Sequence, residues 1–132
     1  MKLAAWDIFW VQNCRHSTPP KDKFVLIVST TPRILGFFIN SNPPRNLDPD
    51  SKAANCYAGI SETDTEPRFF SHSGVVGCDQ LFEYERGELP ASARRGVLAP
   101  SARQRVRDSA QKCPRLKRPH KIKVNEAFSS RP

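Results

Sequence analysis

Two lysines, Lys21 and Lys23, stand around Asp22 at the mouth of the most apolar segment of the chain, "KDKFVLIVS" at residues 21–29. Cations in that position can act as charged gatekeepers of an aggregation-prone strand, or they can hold a phosphate at a strand end. His16 in "CRHSTPPKD" and His72 in "FFSHSG" are the candidate acid–base groups, because imidazole changes charge near neutral pH. Facing one groove, the two would form an acid–base pair; apart, each is an ordinary loop histidine. Ser71 and Ser73 flank His72 without a G-x-S-x-G elbow, so they do not read as nucleophiles. Cys14 and His16 share a loop, which supports cysteine chemistry only as a minor reading. Asp79 reads as a turn or contact residue. No glycine-rich phosphate loop is present. The four cysteines, Cys14, Cys56, Cys78 and Cys113, lie 42, 22 and 35 residues apart, without zinc-ligand spacing. Neither a metal nor another cofactor is expected.

Charge is unevenly spread. Residues 1–85 hold eight Lys/Arg against ten Asp/Glu, whereas residues 86–123 hold twelve against two; the whole chain is +8 over 132 residues. Such asymmetry points the C-terminal third toward a polyanion or an acidic protein. The candidate phosphate-binding cations are Lys21, Arg94, Arg95, Arg103, Arg107 and Lys112, with Arg105, Arg115, Lys117, Arg118, Lys121 and Lys123 beside them. The opening "MKLAAWDIFWVQNC" carries Asp7 within its apolar run and lacks a small-residue cleavage site, so it does not read as a signal peptide. No segment approaches the ~18 apolar residues of a membrane helix. A cytoplasmic protein with four free thiols is therefore expected.

The elements that must position these groups are mostly strands. "WDIFWVQN" alternates, "KFVLIVS" is continuously apolar and β-branched, and "ILGFFINS" follows the turn "TTPR". Gly36 marks a bulge or a close backbone approach. Residues 42–66 are rich in Pro, Asx and Ser and read as a long loop with at most one short strand around "NCYAGI". "SHSG" is a turn, "GVVGCDQLFEY" a further strand and "GVL" a short one. "APSARQRVRDSAQKC" is the clearest helix, with Pro100 in its first turn, Ser101 as a cap and a stripe of Ala102, Val106, Ala110 and Cys113. With twelve prolines and 38% apolar residues, one compact domain over residues 1–113 with long irregular connections is expected. The basic, proline-broken residues 114–132 read as a flexible tail. The expected fold class is mainly β with a C-terminal helix, a small β-barrel.

Taken in order, "WDIFWV" (6–11), "KFVLIVS" (23–29), "FINS" (38–41), "VVGCDQLF" (75–82) and "GVLAPSARQRVRDSAQ" (96–111) resemble the successive motifs of the MazF/PemK family of bacterial toxins. The resemblance spans roughly 100 residues and leaves out the long loop and the tail. It implies an SH3-like barrel, a homodimer, an RNA substrate and an acidic antitoxin as partner. The activity it implies is metal-independent cleavage of single-stranded RNA. RNA supplies its own nucleophile in that reaction, so the protein must provide a base, stabilisation of the phosphorane and an acid.

The family's catalytic arginine before the second strand corresponds to Lys23, and its Thr/Ser after the third strand to Asn40 and Ser41, of which only Ser41 carries a hydroxyl. Lys23 departs from the family because an ammonium lacks the guanidinium fork. The resemblance therefore implies a toxin of a type II toxin–antitoxin system with catalytic Lys23 and Ser41, and His16 and His72 stand beside them as the acid–base candidates that could compensate for the missing arginine. The alternative is a catalytically weak relative that binds nucleic acid or protein through its basic C-terminal third.

Overall fold

In the computed structural model, which describes residues 2–130 apart from the Ser130 side chain, seven antiparallel strands form one sheet. They are β1 (Asp7–Cys14), β2 (Lys21–Ser29), β3 (Ile34–Asn40), β4 (Tyr57–Ile60), β5 (Thr65–Glu66), β6 (Gly74–Tyr84) and β7 (Arg94–Leu98). Their order across the sheet is β4-β6-β3-β2-β1-β7-β5. The sheet curls into a half-barrel, and two helices, α1 (Pro100–Lys112) and α2 (Arg118–Ser130), follow it. No helix is long and apolar enough to cross a membrane among the described residues.

The apolar content of "KFVLIVS" places β2 near the centre of the sheet, with Val25, Leu26, Ile27 and Val28 at most 1% exposed. Because successive side chains point to opposite faces, two cores result. Leu26 and Val28 join Trp6, Ile8, Phe37, Val76 and the apolar stripes of α1 and α2 on one face. Val25 and Ile27 join Phe9, Val11, Ile34, Tyr84 and Leu89 on the other, flanked by Phe38 and Phe82. Gly36 is a close-approach glycine: a Cβ there would meet Val25 Cγ1 at 2.6 Å. Near the end of β1, where its register against β2 shifts, Asn13 takes a positive φ of 46°, a conformation asparagine tolerates, and its backbone N–H donates to Asp22 Oδ1 at 2.9 Å.

Helix α1 begins at Pro100 as its sequence predicts, but Ser101 is not its cap: Ala99 precedes the helix without a side-chain cap bond. The Ala99 N–H instead donates to the Asp64 carbonyl at 2.7 Å. The expected stripe is buried, with Ala102, Val106, Ala110 and Cys113 all at 0% exposure.

Further expectations need correction. Residues 118–130 are helical rather than tail-like, because Leu116, Val124 and Ala127 bury against the main core and Trp6 Nε1–H donates to the Ala127 carbonyl at 3.2 Å. The four cysteines are not all free thiols: Cys56, within the long loop, and Cys113, just after α1, form a disulfide, while Cys14 and Cys78 are free and buried. The long loop also holds more structure than expected: a turn of 3-10 helix at Lys52–Cys56, then β4, a capping box in which Ser61 and Asp64 satisfy each other's backbone groups, and β5. It has two short strands rather than at most one, because β4 pairs with β6 and β5 with β7.

Candidate functional site

The register of β2 against β3 pairs Phe24 with Ile39, which brings Lys23 beside Asn40 at the open end of the sheet. Lys23 Nζ donates to Asn40 Oδ1 at 2.7 Å and lies 5.2 Å from the centroid of the Phe38 ring. Partial burial, helped by the nearby Lys21 charge, lowers the Lys23 pKa from the ordinary lysine value. The ammonium is thus poised to release a proton more readily than an exposed lysine.

Asn40 sits at the seam of two cavities. The first, of about 130 Å³, is lined by Phe24, Ile39, Asn40, Ser41, Phe70 and His72 among others. Its apolar wall is an aromatic cluster: Phe24 packs against Phe69 at 5.3 Å and Phe70 at 5.0 Å, and Trp10 against Phe24 at 4.6 Å. The second, of about 160 Å³, lies toward β4 and β6. Both are smaller than the ~300–1,000 Å³ of a drug-sized pocket; each suits a phosphate, a sugar or a single ring.

The structure therefore brings Ser41 and His72 into one cavity and joins Lys23 to it through Asn40. His72 Nδ1 is 2.7 Å from the Ser73 carbonyl. A carbonyl only accepts, so Nδ1 carries the proton and Nε2 of the neutral ring is left as an acceptor.

His16 is placed elsewhere. Its Nε2–H donates to the Glu83 carbonyl at 2.6 Å, and its ring stacks on Phe82 at 4.9 Å. Phe82 in turn stacks on Phe38 at 4.6 Å. His16 thus connects to Lys23 only through a row of rings, and no cavity described holds both histidines. Its loop is pinned by Arg15, whose Nη2 lies 3.0 Å from Glu88 Oε1.

The expected phosphate-binding cations separate into two groups. Lys21 and Lys112 are exposed, and Arg95 lines a groove of about 410 Å³ with Trp10, Asn13 and Arg15. Arg103 departs from expectation: it is 6% exposed, its Nε donates to the Leu98 carbonyl at 2.7 Å, and it lies over Trp6. Burial spends it on helix docking. Arg94 reaches buried Asp7 at 3.2 Å, and Arg107 bonds Asn125 and covers Phe128. Three features escaped sequence reasoning: the Asn40 amide as the partner of Lys23, the Arg105–Asp64 ion pair at 2.6 Å, and the Arg15–Glu88 pair. The S-x-x-D pattern of "SETD" was the available signal for the acidic half of the second.

Among solved structures, the chain is similar to the toxin MazF-mt6 of Mycobacterium tuberculosis, with a TM-score of 0.57 over 84% of this chain and 98% of that one. The fold is MazF-like. Sequence identity across that match is 15%, so the likeness is one of fold. No protein-family model matches the sequence, and no curated protein matches it. Within the MazF-like fold, the Lys23–Asn40–Ser41–His72 cluster stands where β2 and β3 reach the open end of the sheet. Among the described residues, no three His, Cys, Asp or Glu side chains gather as a metal ion would require.

Proposed function

We propose that this chain is the toxin of a type II toxin–antitoxin pair, a metal-independent endoribonuclease that cuts single-stranded RNA in the cytoplasm. The observation that carries the reading is the meeting of Lys23, Ser41 and His72 around Asn40 at the open end of a MazF-like sheet. In the proposed reaction His72 Nε2 takes the proton of a ribose 2′-hydroxyl, whose oxygen attacks the adjacent phosphorus. Lys23 stabilises the phosphorane charge and gives its proton to the departing 5′-oxygen, a role its lowered pKa suits. Ser41 donates a hydrogen bond to a phosphoryl oxygen. The products are a 2′,3′-cyclic phosphate and a 5′-hydroxyl. An acidic antitoxin restrains the enzyme, and a homodimer is its working form. In a reducing cytoplasm disulfides are rare; Cys56 and Cys113, both at 0% exposure, keep theirs away from solvent thiols.

One observation favours the weaker alternative of a binding module. Lys23 already gives one of its three N–H donors to Asn40 and lacks the planar fork that holds a phosphate bidentately. Induction of the intact chain in bacteria, beside Lys23→Ala and Ser41→Ala, separates the two readings. Growth arrest with discrete new RNA 5′ ends, lost in both variants, supports the enzyme. Full soluble expression with no new ends overturns it in favour of the binding module.

A further inference from the structure

The Asn40 amide is held in one orientation. Lysine only donates, so the oxygen facing Lys23 Nζ is fixed as Oδ1, and Nδ2 is turned toward the second cavity. That cavity is lined by Phe38, Asn40, Tyr57, Gly77, Asp79 and Phe82, among others. Its floor is Gly77. A Cβ built there would lie 3.4 Å from Asp79 Oδ1, 3.8 Å from Asn40 Nδ2 and 3.8 Å from Tyr57 Cε1. A hydrogen-bond donor and a carboxylate acceptor therefore converge over one point, beside an aromatic ring. The missing side chain of Gly77 leaves that point open. Burial and the Asp79 charge raise the Tyr57 pKa above its ordinary value, which keeps its hydroxyl protonated.

Resting on the RNA-cleaving reading above, we propose that this cavity is a base-reading subsite that takes one unstacked cytosine of single-stranded RNA. Its volume of about 160 Å³ fits a single ring better than a fused pair. Aromatic surfaces bind the face of any base, so discrimination falls to the polar pair. Cytosine offers an acceptor at N3 next to an amine donor at N4, matching Asn40 Nδ2 and Asp79 Oδ1. A carboxylate is a known partner for that amine. Uracil's N3–H lies between two carbonyl oxygens, so a carboxylate bonded to it would face at least one of them. The subsite adjoins the scissile cluster because Asn40 belongs to both cavities. A base seated there places its backbone beside Lys23.

The test is equilibrium binding of short single-stranded C, U and A oligonucleotides to the intact protein, using 2′-fluoro sugars that lack the attacking hydroxyl. The C oligonucleotide should bind about tenfold more tightly than U, within the discrimination of a bidentate base contact. Gly77→Ala should remove that preference by filling the floor. Gly77 has no positive φ, and its new Cβ meets neighbours only at ordinary contact distance, so the fold should tolerate it. Asp79→Asn, which adds a donor, should narrow the gap by improving U. Binding with no C preference, or a preference that survives both variants, overturns the subsite and leaves the ribonuclease reading standing. Absence of binding to any of the three, together with no cleavage of natural RNA, overturns both.

Discussion

Lys23 donates to the Asn40 amide, and under the proposed reaction the same ammonium must also meet a phosphate. Lys23→Arg supplies a fork that can do both. That guanidinium holds a phosphate but does not release its proton, so in single-turnover assays Lys23→Arg should cut about tenfold more slowly than wild type; a rate unchanged or raised would show that Lys23 is not the acid. Lys23→Ala should lose about 10²–10³ in rate, as for removal of one transition-state donor. If Lys23 is the acid, activity falls as pH rises through its pKa, and burial sets that limb below the ordinary lysine range. A pH–rate profile for wild type and Lys23→Arg measures it: the limb should be present in wild type and absent from the residual activity of the variant. Lys21, Lys23 and Ser41 were legible as residues because they lie at strand ends in the sequence. The Asn40 partnership was not, since it depends on how β2 and β3 align, and no local pattern encodes that register.

The strands and α1 were readable from periodicity, and α2 was not. Its segment "RPHKIKVNEAFSS" has only Val124, Ala127 and Phe128 to bury against the rest of the protein, with Ile122 left 51% exposed, so its helicity depends on tertiary packing more than on its own pattern. Val124→Asp should therefore detach α2 without dissolving the sheet. Trp6, at 0% exposure beneath it, reports the event: its fluorescence should shift to the red, and an unchanged spectrum would mean that α2 does not cover it. The Cys56–Cys113 bond was equally invisible, because a 57-residue separation carries no spacing signal. Closing a loop of that length constrains the unfolded chain by up to about 4 kcal/mol. Cys113→Ser should lower the urea midpoint accordingly, and a midpoint within error of wild type would contradict the bond.

Charge shows its consequence across the whole molecule. Several arginines that looked like polyanion contacts make bonds within the chain, Arg103 to Leu98, Arg94 to Asp7, Arg105 to Asp64 and Arg107 to Asn125, and of these four Arg103 is the buried one. Exposed Lys112, Arg115, Lys117 and Arg118 cluster at the turn between α1 and α2, and Arg115 and Lys117 line a groove that shares Asp79 and Gln80 with the base-reading cavity. Composition reports how many cations a chain has, and only the fold decides which remain for a partner. If RNA follows that groove, replacing Arg115 and Lys117 together by Gln should weaken binding and flatten the slope of log affinity against log salt by about 1–2. An unaltered slope would take the nucleic acid off this path.

The most direct measurement is incubation of the purified chain with a 5′-labelled single-stranded RNA in excess chelator, followed by analysis of both new ends. The account predicts fragments ending in a 2′,3′-cyclic phosphate and beginning with a 5′-hydroxyl, formed by wild type and lost in Lys23→Ala and Ser41→Ala. Intact RNA, or equal cutting by both variants, would contradict the assignment of the Lys23–Asn40–Ser41 seam as a ribonuclease site.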